Sequence, residues 1–350
     1  MKIALISDKL TMDSLFAEDG ISVVNVTKYN YKNIFKDWKP DILFVESTWL
    51  GYNDEWRYKV ASYPDYPRCK NKQLKKIISY INKLGFLERN NSQLKIVVEY
   101  AKDLKIPTVF WNKEDGVHFD RFIDSARLFD YIFTVDENCI DKYKAIVGNS
   151  IPVNTLMFAI QPKFHYFIDF NIKNNRANFV GSYSTHIHDN RRRWQDMMFK
   201  FSSQIFGLDV YDRNSERKSN IYRYPNIDNV NIFPSVSYKE TADIYRDYLI
   251  SLNVNTIENS PTMFSRRLIE ILACGRIAIT NDTPAIQKYF KDYCYSFKDE
   301  YELQDLLYKI NKFGLDKHTQ DKLKSAAEYI ANNFTWKHRL EYIKEIIGII

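Results

Sequence analysis

The sequence predicts a two-domain α/β protein built on two parallel sheets, and three observations lead there. The chain has 350 residues, a length that suits two domains of ordinary size. Short β-rich runs alternate with stretches of helical spacing along most of it, the pattern of a parallel sheet covered by helices on both faces. A polar stretch at 169–176 interrupts the alternation once. It divides the chain into tandem units with a boundary near residue 165.

The first run, 2–7, is apolar enough for a buried strand. Further strands are expected at 22–26, 41–46, 108–111 and 131–135, and helices at 72–84 and 94–104. Pro40 and Pro107 stand just before two of these strands, where proline is tolerated as a starter. In the second unit, strands are expected at 177–181, 208–211, 248–254 and 276–280, and helices at 191–206, 239–245 and 264–273. Ser237 and Glu240 have the spacing of a capping box. The tail from about 323 reads as helix, with Phe334 and Trp336. The expected organisation is therefore domain 1–165, domain 166–332, and a C-terminal helix, 333–350, packing back on the N-terminal domain. No internal repeat or low-complexity segment breaks this reading.

Composition narrows the class. Apolar residues make up 45% and charged residues 27%, ordinary values for a globular protein. The net charge of +6 suits an anionic ligand or an acidic membrane surface. That charge is dispersed, whereas a dedicated nucleic-acid binder shows a basic stripe. The 25 Tyr and 23 Phe supply rings that bury area or stack on sugars and bases. Cys69, Cys139, Cys274 and Cys294 form no C-x-x-C pair and stand at no zinc-ligand spacing with histidine, as scattered reduced thiols do. The opening 1–7 is followed at once by Asp8 and Lys9, unlike a signal peptide, and no apolar run approaches the ~20 residues of a membrane span. A cytoplasmic protein is expected, compatible with peripheral attachment to a membrane.

In open α/β sheets, ligands bind at the carboxyl ends of strands, so the chemistry is sought there. Ser260-Pro261-Thr262 is a turn into a helix whose first N–H groups can hold a phosphate. Arg267 can add a charge-assisted contact to the same anion, and Glu270, one turn on, can accept from ribose hydroxyls. Gly275 suits the helix C-cap. The same spacing also makes Arg266 and Glu270 an ordinary i,i+4 surface pair. Gly181-Ser182-Tyr183 ends a strand, and a glycine there lets the backbone approach a ligand or simply turn. Arg191, Arg192 and Arg193 stand near a helix start, where positive charge is unfavourable to the dipole unless an anion is close; a solvated face is the alternative. Arg213 follows another strand and either reaches a phosphate or is a loop charge. In the first unit, Trp111-Asn112-Lys113-Glu114-Asp115 and His118 follow an apolar strand. Such groups bind hydroxyls or serve as a general base, unless Asp115 caps the next helix. Glu46-Ser47-Thr48-Trp49 ends a further strand, either as a polar turn or as part of a site. His186, His188 and Asp189 invite a metal reading, but a metal needs three or four ligands and no partner cluster is evident; a loop near phosphates fits better.

The run Met263-Phe264-Ser265-Arg266-Arg267, with Glu270 and Ala273-Cys274-Gly275, resembles the donor-site helix of retaining GT-B glycosyltransferases of the E-x7-E (glycosyl transferases group 1) type. The resemblance is greatest to the CgeB-like, spore-maturation-type enzymes. Phe179-Val180-Gly181-Ser182-Tyr183, Phe110-Trp111-Asn112-Lys113-Glu114-Asp115, Glu46-Ser47-Thr48-Trp49 and Leu252-Asn253-Val254-Asn255-Thr256 match in the same order along most of the chain. The resemblance implies an α/β GT-B fold, two Rossmann-like domains facing a central cleft. It implies a nucleotide-diphosphate sugar in the C-terminal domain, on Gly181, Ser182, Tyr183, Arg213, Tyr238, Thr262, Met263, Phe264, Ser265, Arg267 and Glu270. Tyr238 would stack on the base. An acceptor is implied on Glu46, Trp49, Trp111, Asn112 and Lys113, with Glu114, Asp115, His118 and Arg267 as catalytic candidates. Retention of configuration, no metal and no cofactor beyond the co-substrate are implied as well. The acceptor would be a glycan, a lipid-linked molecule or a protein, in bacterial surface-glycan synthesis. In one place the sequence departs from the pattern: Thr262 stands where the first acid of E-x7-E belongs, so the likeness carries to the nucleotide end of the donor rather than its sugar end. Three other functions share some of these features: a polyol-phosphate transferase, a non-catalytic glycan-binding module, and a transferase acting on DNA bases, which the dispersed charge disfavours.

Overall fold

The computed structural model describes residues 1–61, 71–83 and 90–349. Cys69 and the end of the expected 72–84 helix lie outside the described residues. The described residues form two six-stranded sheets, and every strand pair in them is parallel. By contacts the chain divides into two compact units: residues 1–157 with 339–350, and residues 158–338.

The first sheet contains β1 (Lys2–Ile6), β2 (Ser22–Asn25), β3 (Ile42–Glu46), β4 (Thr108–Asn112), β5 (Tyr131–Thr134) and β6 (Val153–Thr155), in the order β2-β1-β3-β4-β5-β6. Strands β3 and β4 are buried along their whole length, as strands covered on both faces must be. The connections carry α1 (Lys9–Phe16), α2 (Lys72–Lys83), α3 (Ser92–Asp103), α4 (Phe119–Ala126) and α5 (Ile140–Val147). Helix α1 starts where Asp8 accepts from the N–H groups of Leu10 and Thr11, satisfying two donors the helix itself leaves unpaired.

The second sheet contains β7 (Asn174–Gly181), β8 (Leu208–Asp212), β9 (Val230–Phe233), β10 (Tyr248–Asn253), β11 (Ile277–Asn281) and β12 (Tyr295–Phe297), in the order β12-β11-β10-β7-β8-β9. Its connections carry α6 (Asp189–Ile205), α7 (Glu240–Asp247), α8 (Arg266–Ala273), α9 (Pro284–Tyr289), α10 (Glu300–Phe313) and α11 (Lys317–Asn333). A last helix, α12 (Trp336–Ile347), follows. The capping box forms as expected: Ser237 N–H donates to Glu240 at 2.7 Å, and Glu240 N–H to the Ser237 hydroxyl at 3.4 Å.

The expected strands are all present, with ends moved by up to three residues. Strands β6, β9 and β12 were not expected. Two are only three residues long, and β9 is mostly exposed, so none carries a buried apolar run. All three lie near or at a sheet edge, where short strands with little apolar signal are usual.

The strand orders say where to look for ligands. The first sheet reverses direction of growth between β1 and β3, the second between β7 and β10. Ligands of open parallel sheets bind at the carboxyl ends of strands beside such a reversal.

Candidate active site

At the reversal of the second sheet, β7 ends in Val180 and Gly181, and β10 in Asn253. Arg267, in the first turn of α8, is held there from both strands. Its Nε donates to the Val180 carbonyl at 2.6 Å and its Nη1 to Asn253 Oδ1 at 3.5 Å. The guanidinium lies 4.5 Å from the centre of the Phe179 ring. Gly181 makes room for it: a Cβ at that position would stand 2.7 Å from Arg267 Nη2 and 2.6 Å from the Phe179 ring. The glycine is thus required by close approach rather than by a turn.

Arg267 has two like-charged neighbours. Burial lowers its pKa, and Arg213 repels it further, while Glu270 and Tyr245 partly oppose this. Arg191 on α6 is pushed down to about 10, by burial first and then by Arg267 and Arg213. Three guanidinium groups at one strand end repel one another unless an anion lies among them. The nearest carboxylates are engaged elsewhere. Glu270 accepts from Arg266 Nε at 2.9 Å, and Asp212 accepts from Asn214 N–H and pairs with Arg223 at 3.7 Å. Arg266 and Glu270 do form the i,i+4 pair, but Glu270 is buried, not on a solvated face.

The loop before α8 corrects part of the expected phosphate contact. The helix begins at Arg266, and three of the loop's N–H groups are already used. Ser260 Oγ accepts from Thr262 N–H at 3.3 Å and Met263 N–H at 2.9 Å, and Asn255 Oδ1 from Ser265 N–H at 2.9 Å. Thr262 is buried in this turn, while Met263 and Ser265 are half-buried. Phe264 is not a ligand contact: it is buried among Phe158, Phe290 and Phe334 with centroids 6.2, 4.8 and 5.8 Å away. The anion chemistry therefore falls to the arginines rather than to the loop backbone.

Tyr238, half-buried, has Arg266 at 5.5 Å over its ring and His165 at 5.0 Å. Thr241 Oγ donates to the Tyr238 carbonyl at 2.7 Å, so His165 Nε2, 3.0 Å from Thr241 Oγ, is the donor. Burial lowers His165 to about 4 and keeps it neutral.

Beside β7, a cavity of about 190 Å³ is lined by Ser182, Tyr183, Ser184, Ile187, His188, Arg191, Gln195, Asn214, Arg217 and Tyr222. Tyr183 is mostly buried, its hydroxyl donating to Asp196 at 2.7 Å. His186 packs against Tyr222 at 5.4 Å. Among the described residues no group of three or more His, Cys, Asp or Glu is placed to hold a metal.

The first unit holds a buried ion cluster at the reversal of its own sheet. Glu46, at the end of β3, is fully buried and accepts from Asp8 N–H at 2.7 Å, Thr11 Oγ at 2.5 Å and Lys113 Nζ at 2.9 Å. Lys113 also pairs with Asp8, the residue that caps α1. Burial and the charge of Asp8 raise Glu46 to about 7 against the pull of Lys113, and the carboxylates around Lys113 raise its ammonium above the usual range despite burial. Asp8 did not stand out in the sequence, although a carboxylate directly after the first strand is the signal that picked out Glu46.

Three expectations at the end of β4 are corrected. Trp111 is core: its indole donates to the Leu156 carbonyl at 2.9 Å and its ring stacks on Phe44 at 6.3 Å, so no sugar ring reaches it. Asn112 lies inside the strand, giving its amide to Asp115 at 2.6 Å and Tyr143 at 2.8 Å. Asp115 is fully buried, also accepting from Thr134 at 2.7 Å and Tyr143 at 2.9 Å, so it neither caps α4 nor faces a substrate. Its carboxyl is raised to about 7 by burial. Glu114 and His118 are half-buried. His118 is the residue before α4 and meets the edge of Trp49 at 5.1 Å, so the structure brings those two together.

Comparisons with known proteins agree with this architecture. Residues 174–345 match the family model described as glycosyl transferase-like. No curated protein matches the chain by sequence. An alpha-glucosyltransferase solved with UDP-glucose and DNA containing an abasic site has a similar fold, with a TM-score of 0.64, 14% identity and 99% of both chains covered. The Anabaena protein Alr3699/HepE, solved with UDP and glucose, has a TM-score of 0.55 at 11% identity over 100% of both chains. Sucrose-phosphate synthase from Thermosynechococcus elongatus has a TM-score of 0.53 at 11% identity, over 99% of this chain and 98% of that one. Two parallel six-stranded sheets with their helices match these GT-B structures over the whole chain. Residues 174–345 are thus similar to the glycosyl transferase-like family, and the chain has the GT-B fold.

Proposed function

We propose that the protein transfers a sugar from a nucleotide-diphosphate sugar to a hydroxyl acceptor. The observation that carries this reading is the gathering of Arg191, Arg213 and Arg267 at the β7–β10 reversal, with the nearest carboxylates engaged elsewhere. A diphosphate there neutralises the cluster. In the transition state it gains charge as it leaves, and preorganised guanidinium groups stabilise that charge without rearranging. Glu270 is the ribose contact and Tyr238 the base contact. Ser182, Tyr183, Met263 and Ser265 line the surroundings. In the first unit, Lys113 and Trp49 hold the acceptor, with Glu46 buried behind Lys113, and Glu114 and His118 are the acid–base candidates.

The finer reading is a CgeB-like enzyme, retaining and metal-independent, acting in the cytoplasm on a glycan, lipid-linked or protein acceptor of bacterial surface-glycan synthesis. Peripheral membrane contact through α2 belongs to it. Residues 71–83 carry four lysines and no acidic residue, and Leu74, Ile77 and Tyr80 on that helix are exposed. A basic helix with an exposed apolar face suits an anionic bilayer surface.

A thermal-shift screen of nucleotide diphosphates and their sugars tests the proposal, since a ligand of the folded state raises Tm. The expected result is stabilisation by one diphosphate and its sugar conjugate, followed by release of the diphosphate on turnover. Release of a monophosphate would instead make the protein a phosphotransferase. No shift with any nucleotide would sink both readings.

A further inference from the structure

We propose that Asp8 is the residue that receives the acceptor hydroxyl, and that the Asp8–Lys113 pair rejects acceptors whose bound end carries a phosphate or carboxylate. This rests on the reading that the first unit holds the acceptor.

Asp8 stands two residues past the end of β1, at the reversal of the first sheet, where a parallel sheet binds its ligands. Its carboxylate is fixed from two sides. Oδ1 accepts from the N–H groups of Leu10 and Thr11 at 3.1 and 3.4 Å, and Oδ2 takes the ammonium of Lys113. Lys113 is fixed in turn: its backbone N–H donates to Ser47 Oγ at 2.9 Å, and its Nζ donates to Glu46 at 2.9 Å. The three side chains step outward, from Glu46 at 0% exposed through Lys113 at 8% to Asp8 at 39%. A buried ion pair does little for stability, because desolvation offsets its attraction. What this one achieves is an aligned carboxylate at the end of the sheet, with an ammonium against it.

The chemistry of the pair selects a hydroxyl. An ammonium has three protons, and Asp8 and Glu46 take two of those of Lys113. A hydroxyl can accept the third while donating its own proton to Asp8. A phosphate or an ionised carboxylate meets Asp8 as a like charge, which is costly at close quarters. The charges acting on Lys113 are those of Asp8, Glu46 and Glu114, all carboxylates, so the ammonium has no positive charge to spare for an anion. This is the converse of the second unit, where three guanidinium groups stand together.

NMR titrations of the full chain with methyl glycosides of glucose, galactose and N-acetylglucosamine, and with the 6-phosphates of the same sugars, test both halves of the proposal. Asp8→Asn removes the charge but keeps a side chain that caps a helix equally well, so the fold and Tm should be retained. In this variant, affinity for the neutral glycoside that the wild type binds best should fall at least tenfold. Affinity for the 6-phosphates should not fall. Asp13→Asn, which removes another carboxylate of α1 outside the cluster, should change neither. The assignment is overturned if no neutral glycoside binds, or if its affinity is unchanged in Asp8→Asn. It is equally overturned if the 6-phosphates weaken alongside the neutral sugars, since an anion then sits at Asp8. A lowered Tm with every ligand weakened, UDP included, would mean a purely structural role and overturns it as well. If neutral sugars depend on Asp8 and no nucleotide binds, the donor reading fails and the sugar site stands.

Discussion

Arg267 is gripped by backbone and side chain from two strands, so its guanidinium is fixed before any ligand arrives. Fixed charge of this kind is worth more than a flexible surface lysine, because no ordering is required on binding. Arg267→Ala should therefore weaken nucleotide-diphosphate binding by about 1.5–3 kcal/mol, roughly tenfold or more, measured by calorimetry. Unchanged affinity would show that the arginine serves the fold alone. Asp115 makes a prediction about pH. Its carboxyl moves from an ordinary 3.8 up to about 7 because burial disfavours the charge more than its three hydrogen bonds favour it. Between those values the folded protein keeps a proton that the unfolded chain has lost. The stabilisation is full below the lower value and is lost as pH rises through the upper one. Denaturant titrations at about pH 5 and pH 8 should show the wild type losing stability across that interval and Asp115→Asn losing much less.

Elements explain why some of these residues were legible and others not. Gly181 and Arg213 were singled out because they end or follow a strand, and Arg267 because a turn leads into its helix and the run around it resembles a known donor-site helix. The same logic misled at β4. That strand is buried from Thr108 to Asn112, so its last residues are interior, and polarity at its end serves the Asn112–Asp115–Tyr143 network. Sequence spacing does not distinguish a polar residue aimed at a ligand from one aimed at another strand. Asp8 and the Asn255 contact to the loop before α8 depend on which strands lie side by side, which the sheet order supplies and local pattern does not. Two predictions belong at this scale. Gly181→Ala forces its methyl against Arg267 Nη2 and Phe179, so nucleotide affinity should fall even where circular dichroism shows an intact fold. Replacing Leu74, Ile77 and Tyr80 together with serine should abolish co-sedimentation with anionic vesicles while leaving nucleotide binding untouched; retained co-sedimentation would remove α2 from any membrane role.

At the scale of the molecule, the broad plan was the easiest feature to read, since alternation of strand and helix survives errors of a residue or two at each end. The unit compositions were harder, because they depend on where the tail belongs. Residues 339–350 group with residues 1–157, and Arg339 Nε donates to the Met157 carbonyl at 2.8 Å. The second unit is therefore a continuous insertion whose entry and exit points are neighbours. During synthesis, the amino-terminal sheet emerges first yet must wait for the whole of 158–338 before Leu340 and Ile343 arrive to be buried. The inserted unit, by contrast, has all its residues as soon as it leaves the ribosome. Vectorial folding should thus run opposite to the order of translation, with the later unit maturing first and the earlier one sealed last.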